Sequence, residues 1–170
     1  MVDFALTTPE IDDSKIVHFG YSLGGYLVAR YAAHDHRSAA IVCNDGMTTF
    51  YASYPPIPKA TLDLIEQHRD HEALPLLEEL ASNDTNARWG LQNGVWVYGV
   101  DSPAEYVRKT ADYTLSEEMI RGIRTPALIL EGEDETCINA QRQRRGCPLP
   151  RSAMYQLHET VFNFLATTLA

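Results

Sequence analysis

Three short apolar runs, separated by polar and glycine-rich segments, predict the strands of a sheet. The runs occupy residues 15–19, 39–43 and 125–130, and turn residues bound each of them. Between the first two runs, apolar side chains recur at helical spacing from residue 23 to residue 33. A strand, a helix and a second strand in this order form a right-handed crossover unit with parallel strands. The pattern therefore predicts the α/β fold class.

The middle of the chain carries helical patterns and no further strand-like run. Leucines recur there at helical spacing, and Ser102 with Glu105 forms a capping box at the start of a predicted helix. We therefore predict an α/β core from residues 1–46 and 125–170, interrupted by an all-helical insertion at residues 47–124. An insertion of this size between strands is most simply a cap over a site on the sheet.

Charge and composition exclude several classes of partner. The chain has 14 basic and 23 acidic residues, a net charge of −9, which opposes binding to nucleic acids and to anionic membrane surfaces. No apolar stretch is long enough to span a bilayer, and the first residues lack a basic region followed by an apolar run. A cytoplasmic protein with a small-molecule substrate is therefore expected. The short sheet exposes an edge, which favours pairing with another chain, so a homo-oligomer is also expected.

Three cysteines, Cys43, Cys137 and Cys147, indicate neither a disulfide framework nor a metal site. Their number is odd, and no C-x-x-C pair occurs. Cys43 lies in an apolar run and is predicted to be a buried free thiol. The sequence calls for no cofactor and no metal.

The stretch from Gly20 to Gly25 carries the clearest chemical signal in the chain. Its G-x-S-x-G pattern joins a predicted strand to a predicted helix, the context in which Ser22 is presented as a nucleophile. Because the turn is sharp, side chains at Gly20 and Gly24 are expected to clash with neighbouring segments. The amide of Leu23, at the start of the helix, is the expected oxyanion donor.

An acid for a catalytic triad is expected just beyond the strand at residues 125–130. Acidic residues that follow parallel strands lie on the same sheet edge as the serine, and the chain order serine, acid, histidine recurs on such sheets. Glu135 stands three residues after Gly132, and Asp134 is the more common residue type for this role, so both are candidates. Asp45, after the preceding strand, is a weaker third candidate. A solvated acidic turn is the alternative.

Aromatic side chains are concentrated in the predicted insertion and beside the serine. Trp89 and Trp96 fall within the insertion, and Tyr21 immediately precedes Ser22. Aromatic residues commonly line small-molecule pockets, so all three are candidate substrate-binding residues. The alternative for the two tryptophans is that they pack the cap onto the core.

Five segments together resemble one group within the α/β-hydrolase superfamily. They are residues 19–26, 43–46, 102–106, 109–114 and 126–134. The group contains dihydropseudooxynicotine-type hydrolases and fungal hydrolases of polyketide pigment and mycotoxin biosynthesis. The likeness covers about the first 135 residues and returns at residues 155–165, which look like the family's last helix. Since only about 20 residues precede Ser22, the chain looks like the C-terminal half of a longer fold.

The resemblance implies a serine that attacks a carbonyl, a histidine that acts as base and an acid that orients the histidine. Carried over, these roles fall on Ser22 and on Glu135 or Asp134. The family's histidine follows one further strand, but residues 136–151 contain no histidine and no apolar run. His158 is the remaining downstream histidine and therefore the candidate base. Its helical spacing predicts that it lies too far from the serine hydroxyl for a hydrogen bond, which would make it a helix-flank residue and not the base.

Two main interpretations of function follow. In the first, the chain is a serine hydrolase that cleaves a carbon-carbon or ester bond beside a carbonyl of a polyketide-like substrate in secondary metabolism; that substrate class rests on the resemblance. In the second, the chain is an inactive fragment or a ligand-binding pseudoenzyme, because it lacks the triad histidine and the N-terminal oxyanion loop. A transferase would share the same site and differ in the acceptor that resolves the acyl-enzyme.

Overall fold

The computed structural model describes residues 2–51, 57–130 and 153–170. A single 3-10 turn at Asp13–Lys15 precedes the first strand, and the carboxylate of Asp12 caps it by accepting a hydrogen bond from the Ser14 amide. In chain order the described elements are α1 (Val2–Ala5), β1 (Val17–Tyr21), α2 (Leu23–Ala32), β2 (Ala40–Asn44), α3 (Lys59–Glu66), α4 (Asp70–Asn83), α5 (Thr85–Tyr98), α6 (Pro103–Thr110), α7 (Glu117–Gly122), β3 (Ala127–Leu130) and α8 (Ala153–Thr168).

The described strands form one parallel sheet in the order β1, β2, β3. Tyr21 lies opposite Asn44, and Asn44 lies opposite Leu130. The carboxyl ends of all three strands therefore share one edge of the sheet. Helices flank this sheet, so the predicted α/β class with a short parallel sheet is confirmed.

The central strand carries the core of the sheet. Ile41, Val42 and Cys43 in β2 are at most 2% exposed, and Ala32 of α2 packs against Ile41 and Cys43. A strand that is buried on both faces appears in the sequence as a continuous apolar run, which explains why residues 39–43 were recognisable. Cys43 is a free thiol, as predicted. Burial raises the pKa of this thiol to about 11, which keeps it protonated and unreactive at neutral pH.

The described residues fall into two compact units. The unit that contains the sheet comprises residues 2–48, 115–130 and 153–170, and the second unit comprises residues 49–51 and 57–114. The second unit contains α3 to α6 and one isolated bridge between Thr49 and Thr114. The predicted insertion extended to residue 124, whereas α7 belongs to the unit with the sheet. The role of the helical unit as a cap stays a prediction.

Each of the four helices in the second unit contributes to one apolar cluster. Ile65, Leu77, Leu91 and Val107 are at most 2% exposed and belong to α3, α4, α5 and α6 respectively. The repeated leucines of the sequence pattern therefore mark the buried face of this unit, as amphipathic periodicity requires.

The predicted capping box at the start of α6 forms with one change of partner. The Ser102 hydroxyl accepts a hydrogen bond from the Glu105 amide at 3.2 Å. The Glu105 carboxylate accepts a hydrogen bond from the amide of Asp101, also at 3.2 Å, and not from that of Ser102. Two amides at the helix start that have no intrahelical acceptor are satisfied in this way.

Arg108 joins three helices of the second unit. Its guanidinium donates two hydrogen bonds of 2.7 Å to the carboxylate of Asp70 at the start of α4 and a third, of 3.0 Å, to the Ile65 carbonyl at the end of α3. The two charged side chains are 25% and 34% exposed. Hydrogen bonding from Arg108 lowers the pKa of Asp70. Bidentate geometry and partial burial distinguish this pair from ordinary surface ion pairs.

Arg108→Met is expected to lower the free energy of unfolding by about 2 kcal/mol, because it removes charge-assisted bonds and leaves Asp70 and the Ile65 carbonyl without their donor. Urea unfolding followed by circular dichroism measures the change. The matched control is Arg121→Met. Arg121 is 78% exposed and pairs with Glu117 one helical turn away, so its loss should change stability by less than about 0.5 kcal/mol. Equal effects of the two substitutions would contradict the assigned role of Arg108.

Candidate active site

Ser22 occupies the junction between β1 and α2 in a strained backbone conformation. Its φ of 55° and ψ of −127° lie in a region that residues with side chains rarely adopt. The conformation is held from both sides: the Ser22 amide donates to the Asn44 carbonyl at 2.9 Å, and the Ser22 carbonyl accepts from the Gly25 amide at 2.8 Å. Ser22 is exposed, and its side chain makes no capping hydrogen bond to α2.

Two glycines make this junction possible, and one of them is not the glycine that the pattern indicated. A Cβ on Gly20 would lie 2.0 Å from the Gly24 carbonyl oxygen, so the expected clash at Gly20 is confirmed. The expectation for Gly24 is wrong, because a Cβ there would meet nothing within 4 Å. The second tight position is Gly25, where a Cβ would lie 2.5 Å from the Asp45 carbonyl oxygen. The turn brings the start of α2 against the end of β2, and Gly25 faces that contact.

The start of α2 offers amide donors next to the serine. Leu23 is the first residue of α2, and the first amides of a helix have no intrahelical acceptor. Together with the helix dipole, such amides favour negative charge. Tyr21, the residue before the serine, is 69% exposed at the end of β1. Leu23 and Tyr21 therefore lie at the same edge as Ser22, where the roles predicted for them require them to be.

Asp45 is the candidate acid that the described residues contain. It follows β2 directly, is 9% exposed and has a φ of 72°, which makes it a second strained residue at this edge. Its amide donates to the Leu130 carbonyl at 2.9 Å. The Ser22 amide and the Asp45 amide thus connect the ends of the three strands in sequence. No described residue hydrogen-bonds to the Asp45 carboxylate.

Asp134 and Glu135, the two candidates that the sequence ranked ahead of Asp45, lie outside the described residues. Asp45 is the third candidate on the sequence because it follows the preceding strand and not the one at residues 125–130. The signal that could have raised its rank is the Asn-Asp-Gly turn directly after a buried strand. These residue types tolerate positive φ.

His158 lies at an exposed position of α8. No hydrogen bond joins its imidazole to Ser22, and among the described residues neither side chain has a hydrogen-bond partner. α8 contacts the sheet through β2, with Val161 buried at 8% exposure. Val161 is buried, whereas His158, three residues earlier in the helix, is exposed.

A different histidine does contact a serine, at the opposite edge of the sheet. A hydrogen bond of 2.7 Å joins the Ser38 hydroxyl to His18 Nδ1, and the His18 ring lies against the Tyr31 ring with a centroid distance of 4.5 Å. Ser38 is buried, and both residues lie near the amino ends of their strands. Burial lowers the pKa of His18, while the charge of Asp35 opposes that effect. The pair connects β1, β2 and α2 and is remote from the strand ends that carry Ser22.

Stability is expected to fall as the pH is lowered through the histidine range, in part because of His18. A lowered pKa means that the unfolded chain binds the proton more readily than the folded chain. The contribution of neutral His18 is therefore present above about pH 6.5, the ordinary histidine value, and is lost as the pH falls through the lower pKa of the folded state. Urea midpoints at pH 7.5 and 5.5 should differ less in His18→Gln than in the wild type. His34→Gln, at an exposed position, should keep the wild-type difference; a difference that persists in His18→Gln would contradict the assignment.

The two tryptophans predicted to bind substrate lie on α5 of the second unit. Trp89 is 59% exposed and Trp96 is 80% exposed. Their spacing of seven residues places them on one side of the helix. Neither indole is buried in the core of its unit, which leaves both with exposed aromatic surface.

The part of the chain that the structure describes contains no group of three or more histidine, cysteine, aspartate or glutamate residues arranged to hold a metal ion. None of its helices has the length and apolar character needed to cross a bilayer.

Comparison with known proteins identifies fungal hydrolases as similar to this chain. Hydrolase LUC6 of Fusarium sp is 28% identical over 134 residues, which cover 78% of this chain and 32% of the relative. The 20-hydroxy-prefusarin hydrolase FUS2 of Gibberella moniliformis is 27% identical over 127 residues, 74% of this chain and 30% of the relative. Hydrolase acrC of Aspergillus aculeatus is 30% identical over 105 residues, 61% of this chain and 24% of the relative.

These matches cover much of this chain but a third or less of each relative. No protein-family model and no solved structure matches the chain. The predicted likeness to fungal hydrolases is confirmed at this level. The assignment of this chain to the α/β-hydrolase superfamily stays a prediction.

Proposed function

We propose that this chain carries the nucleophile of a hydrolase active site, with Ser22 as the attacking residue. The observation that carries the proposal is the backbone of Ser22: an exposed serine at φ 55°, held between two amide hydrogen bonds at the end of β1. Strain of this kind costs about 1–3 kcal/mol and persists where the surrounding structure over-determines it, often at functional sites. The names of the three fungal relatives support the reaction class.

The proposed chemistry is acyl transfer to water. The Ser22 hydroxyl gives its proton to the base and attacks a substrate carbonyl, and the Leu23 amide binds the oxyanion that develops. The bond to the carbon or oxygen leaving group then breaks and the leaving group takes up the proton. Water finally hydrolyses the acyl-enzyme and frees Ser22. An acid after β2 or β3 orients the base: Asp45, Asp134 and Glu135 are the candidates. Asp45 is supported by its burial and by its position beside the Asn44 carbonyl that accepts the Ser22 amide.

Among the described residues, no histidine makes a hydrogen bond to Ser22 that would identify it as the base. His158 is the downstream candidate from the sequence, and it makes no hydrogen bond to Ser22. A serine without a base retains a small part of its reactivity through the oxyanion hole. The second function, an inactive fragment or a ligand-binding pseudoenzyme, is favoured by this one observation.

The substrate follows from the resemblance and from one relative. A polyketide-like molecule with a carbonyl next to the cleaved carbon-carbon or ester bond suits the group of hydrolases that the sequence resembles. One relative is named a 20-hydroxy-prefusarin hydrolase. Tyr21 is proposed to contact this substrate beside Ser22. Trp89 and Trp96, on the helical unit, stay candidate substrate-binding residues from the sequence.

A fluorophosphonate probe distinguishes the two functions, because it labels serines that are activated and lie next to an oxyanion donor. The folded protein is incubated with the probe, digested and analysed by mass spectrometry. The proposed hydrolase gives a single modified peptide that contains Ser22, and heat-denatured protein gives none. Folded protein that remains unlabelled would refute the hydrolase proposal and support the inactive fragment.

A further inference from the structure

The second unit contains a groove between α4 and α5. The open groove has a volume of about 320 Å³, near the lower end of the range for small-molecule sites. The floor is apolar and includes Leu77, Ala81 and Leu91, and the polar side chains of the lining are Glu78, Arg88 and Gln92. All of these residues lie in the same unit, so the groove is formed independently of the sheet that carries Ser22.

Arg88 gives the groove its chemical character. It is the one lysine or arginine in the sequence of α4 and α5. Among the described residues its guanidinium has a single contact, from Nη2 to the Thr85 hydroxyl at 3.5 Å, the limit of a hydrogen bond. Arg88 forms no ion pair with a described residue. In the ion pairs of the other described arginines, the distance from nitrogen to oxygen is 2.7 Å or less. Within the part of the chain that the structure describes, no ion pair engages the planar donor set of Arg88 at the edge of this apolar groove.

Glu78 faces the same groove from α4 without closing it. No ion pair joins Glu78 to Arg88, although both line the cavity, and the Glu78 carboxylate has no described hydrogen-bond partner. A carboxylate only accepts hydrogen bonds, whereas a guanidinium only donates them. Arg88 can therefore bind a hydrogen-bond acceptor of a ligand, and Glu78 can bind a donor of the same ligand. The apolar floor favours a hydrocarbon body between these two groups.

We propose that this groove binds a small apolar carboxylic acid that also carries a hydroxyl group. The carboxylate pairs with Arg88 in a bidentate manner, the hydrocarbon covers the floor beside Leu77 and Leu91, and the hydroxyl donates to Glu78. At the Arg88 end of the groove, charge complementarity favours a carboxylate over a neutral or cationic group. The negative charge of Glu78 opposes a simple carboxylate and is offset when the ligand supplies a hydroxyl donor.

The test uses octanoate as the probe, with 1-octanol and octylammonium as ligands of similar size and different charge. Isothermal titration calorimetry on the whole protein is expected to detect octanoate and to detect octylammonium at least tenfold more weakly. 8-Hydroxyoctanoate is expected to bind more tightly than octanoate, because its hydroxyl can donate to Glu78. Equal affinity for octanoate and octylammonium, or no binding of octanoate, would refute the proposal.

Charge variants at the groove identify the residues responsible. Arg88→Gln is expected to weaken octanoate at least tenfold, and Glu78→Gln is expected to strengthen it. The matched controls are Arg121→Gln, in the other unit, and Glu79→Gln, at the neighbouring exposed position of α4; both should leave the affinity unchanged. If Arg88→Gln and Arg121→Gln weaken binding equally, the effect is one of net charge and the assignment to the groove fails.

A third variant tests the groove without touching either charged side chain. Gln92 is exposed on α5, so Gln92→Glu should fold normally, which circular dichroism verifies. It places a second carboxylate on the rim and is expected to weaken octanoate while leaving 1-octanol unchanged. Unchanged octanoate affinity in this variant would place the ligand elsewhere. None of these substitutions involves Ser22, so failure here leaves the proposed hydrolase intact, and the reverse is also true.

Discussion

Ser22→Ala is expected to slow covalent labelling by a fluorophosphonate at least about a thousandfold, to the background seen with unfolded chain. Alanine lacks the hydroxyl group that reacts with the probe, whereas the oxyanion donors at the start of α2 remain in place. The second-order rate constant for labelling, measured by intact-protein mass spectrometry, is the appropriate quantity. The comparison requires that the variant is folded, and its urea midpoint serves as the control for folding. Because the Ser22 side chain makes no cap to α2, its removal should cost little stability.

Ser38→Ala is the matched control for the nucleophile. Ser38 also has a histidine within 2.7 Å, yet it is buried and lies at the opposite edge of the sheet. A histidine contact is therefore not sufficient for labelling; exposure and adjacent amide donors are also required. Ser38→Ala should label at the wild-type rate. Labelling of Ser22→Ala at the wild-type rate would show that Ser22 is not the nucleophile. Loss of labelling in Ser38→Ala alone would show the same.

Gly20→Ala is expected to destabilise the protein by about 3 kcal/mol or more, or to prevent folding. Its Cβ would lie 2.0 Å from a backbone oxygen, that of Gly24, and backbone cannot rotate away as a side chain can. Overpacking in well-ordered regions costs about 1–3 kcal/mol and occasionally more. Relief would require the strand and helix to separate, which would also displace Ser22. The urea midpoint and the yield of folded protein measure this effect.

Gly24→Ala is the matched control for this clash, two residues beyond the serine. Open space surrounds the position of its Cβ, and alanine favours helix over glycine by about 1 kcal/mol. The variant should therefore be as stable as the wild type or more stable. Gly25→Ala should instead resemble Gly20→Ala, because its Cβ would lie 2.5 Å from the Asp45 carbonyl oxygen. The reverse order, with Gly24 sensitive and Gly25 tolerant, would contradict the geometry of the turn.

The contrast between Gly24 and Gly25 shows where pattern reading reaches its limit. A G-x-S-x-G pattern identifies the turn, since glycine is needed somewhere on both sides of a strained serine. Which glycine contacts backbone depends on how the helix leaves the turn and on what lies opposite it. Here the opposing element is the end of β2, a partner that comes from about 20 residues further along the chain.

The same limit applies to Asp45 and to the ion pair between Arg108 and Asp70. Asp45 is recognisable in the sequence as an acidic residue after a strand, but its burial depends on the position of β2 between β1 and β3. The bidentate pair of Arg108 with Asp70 connects residues 38 positions apart and has no sequence signature. Ion pairs of this kind depend on helix packing, which periodicity does not specify.

Local signals were sufficient for the secondary structure and for the position of Ser22. The apolar run of β2, the leucine spacing of α4 and the Ser102 cap of α6 each depend on interactions within a few residues, so the amino-acid sequence alone determined them. Tertiary structure alone decided that Gly25 is the tight glycine, that Ser38 takes His18 as its partner and that Arg88 faces an apolar groove. The physical reason is that steric exclusion, burial and charge pairing act between segments that are distant in the chain, and only the packed fold brings their atoms within contact distance.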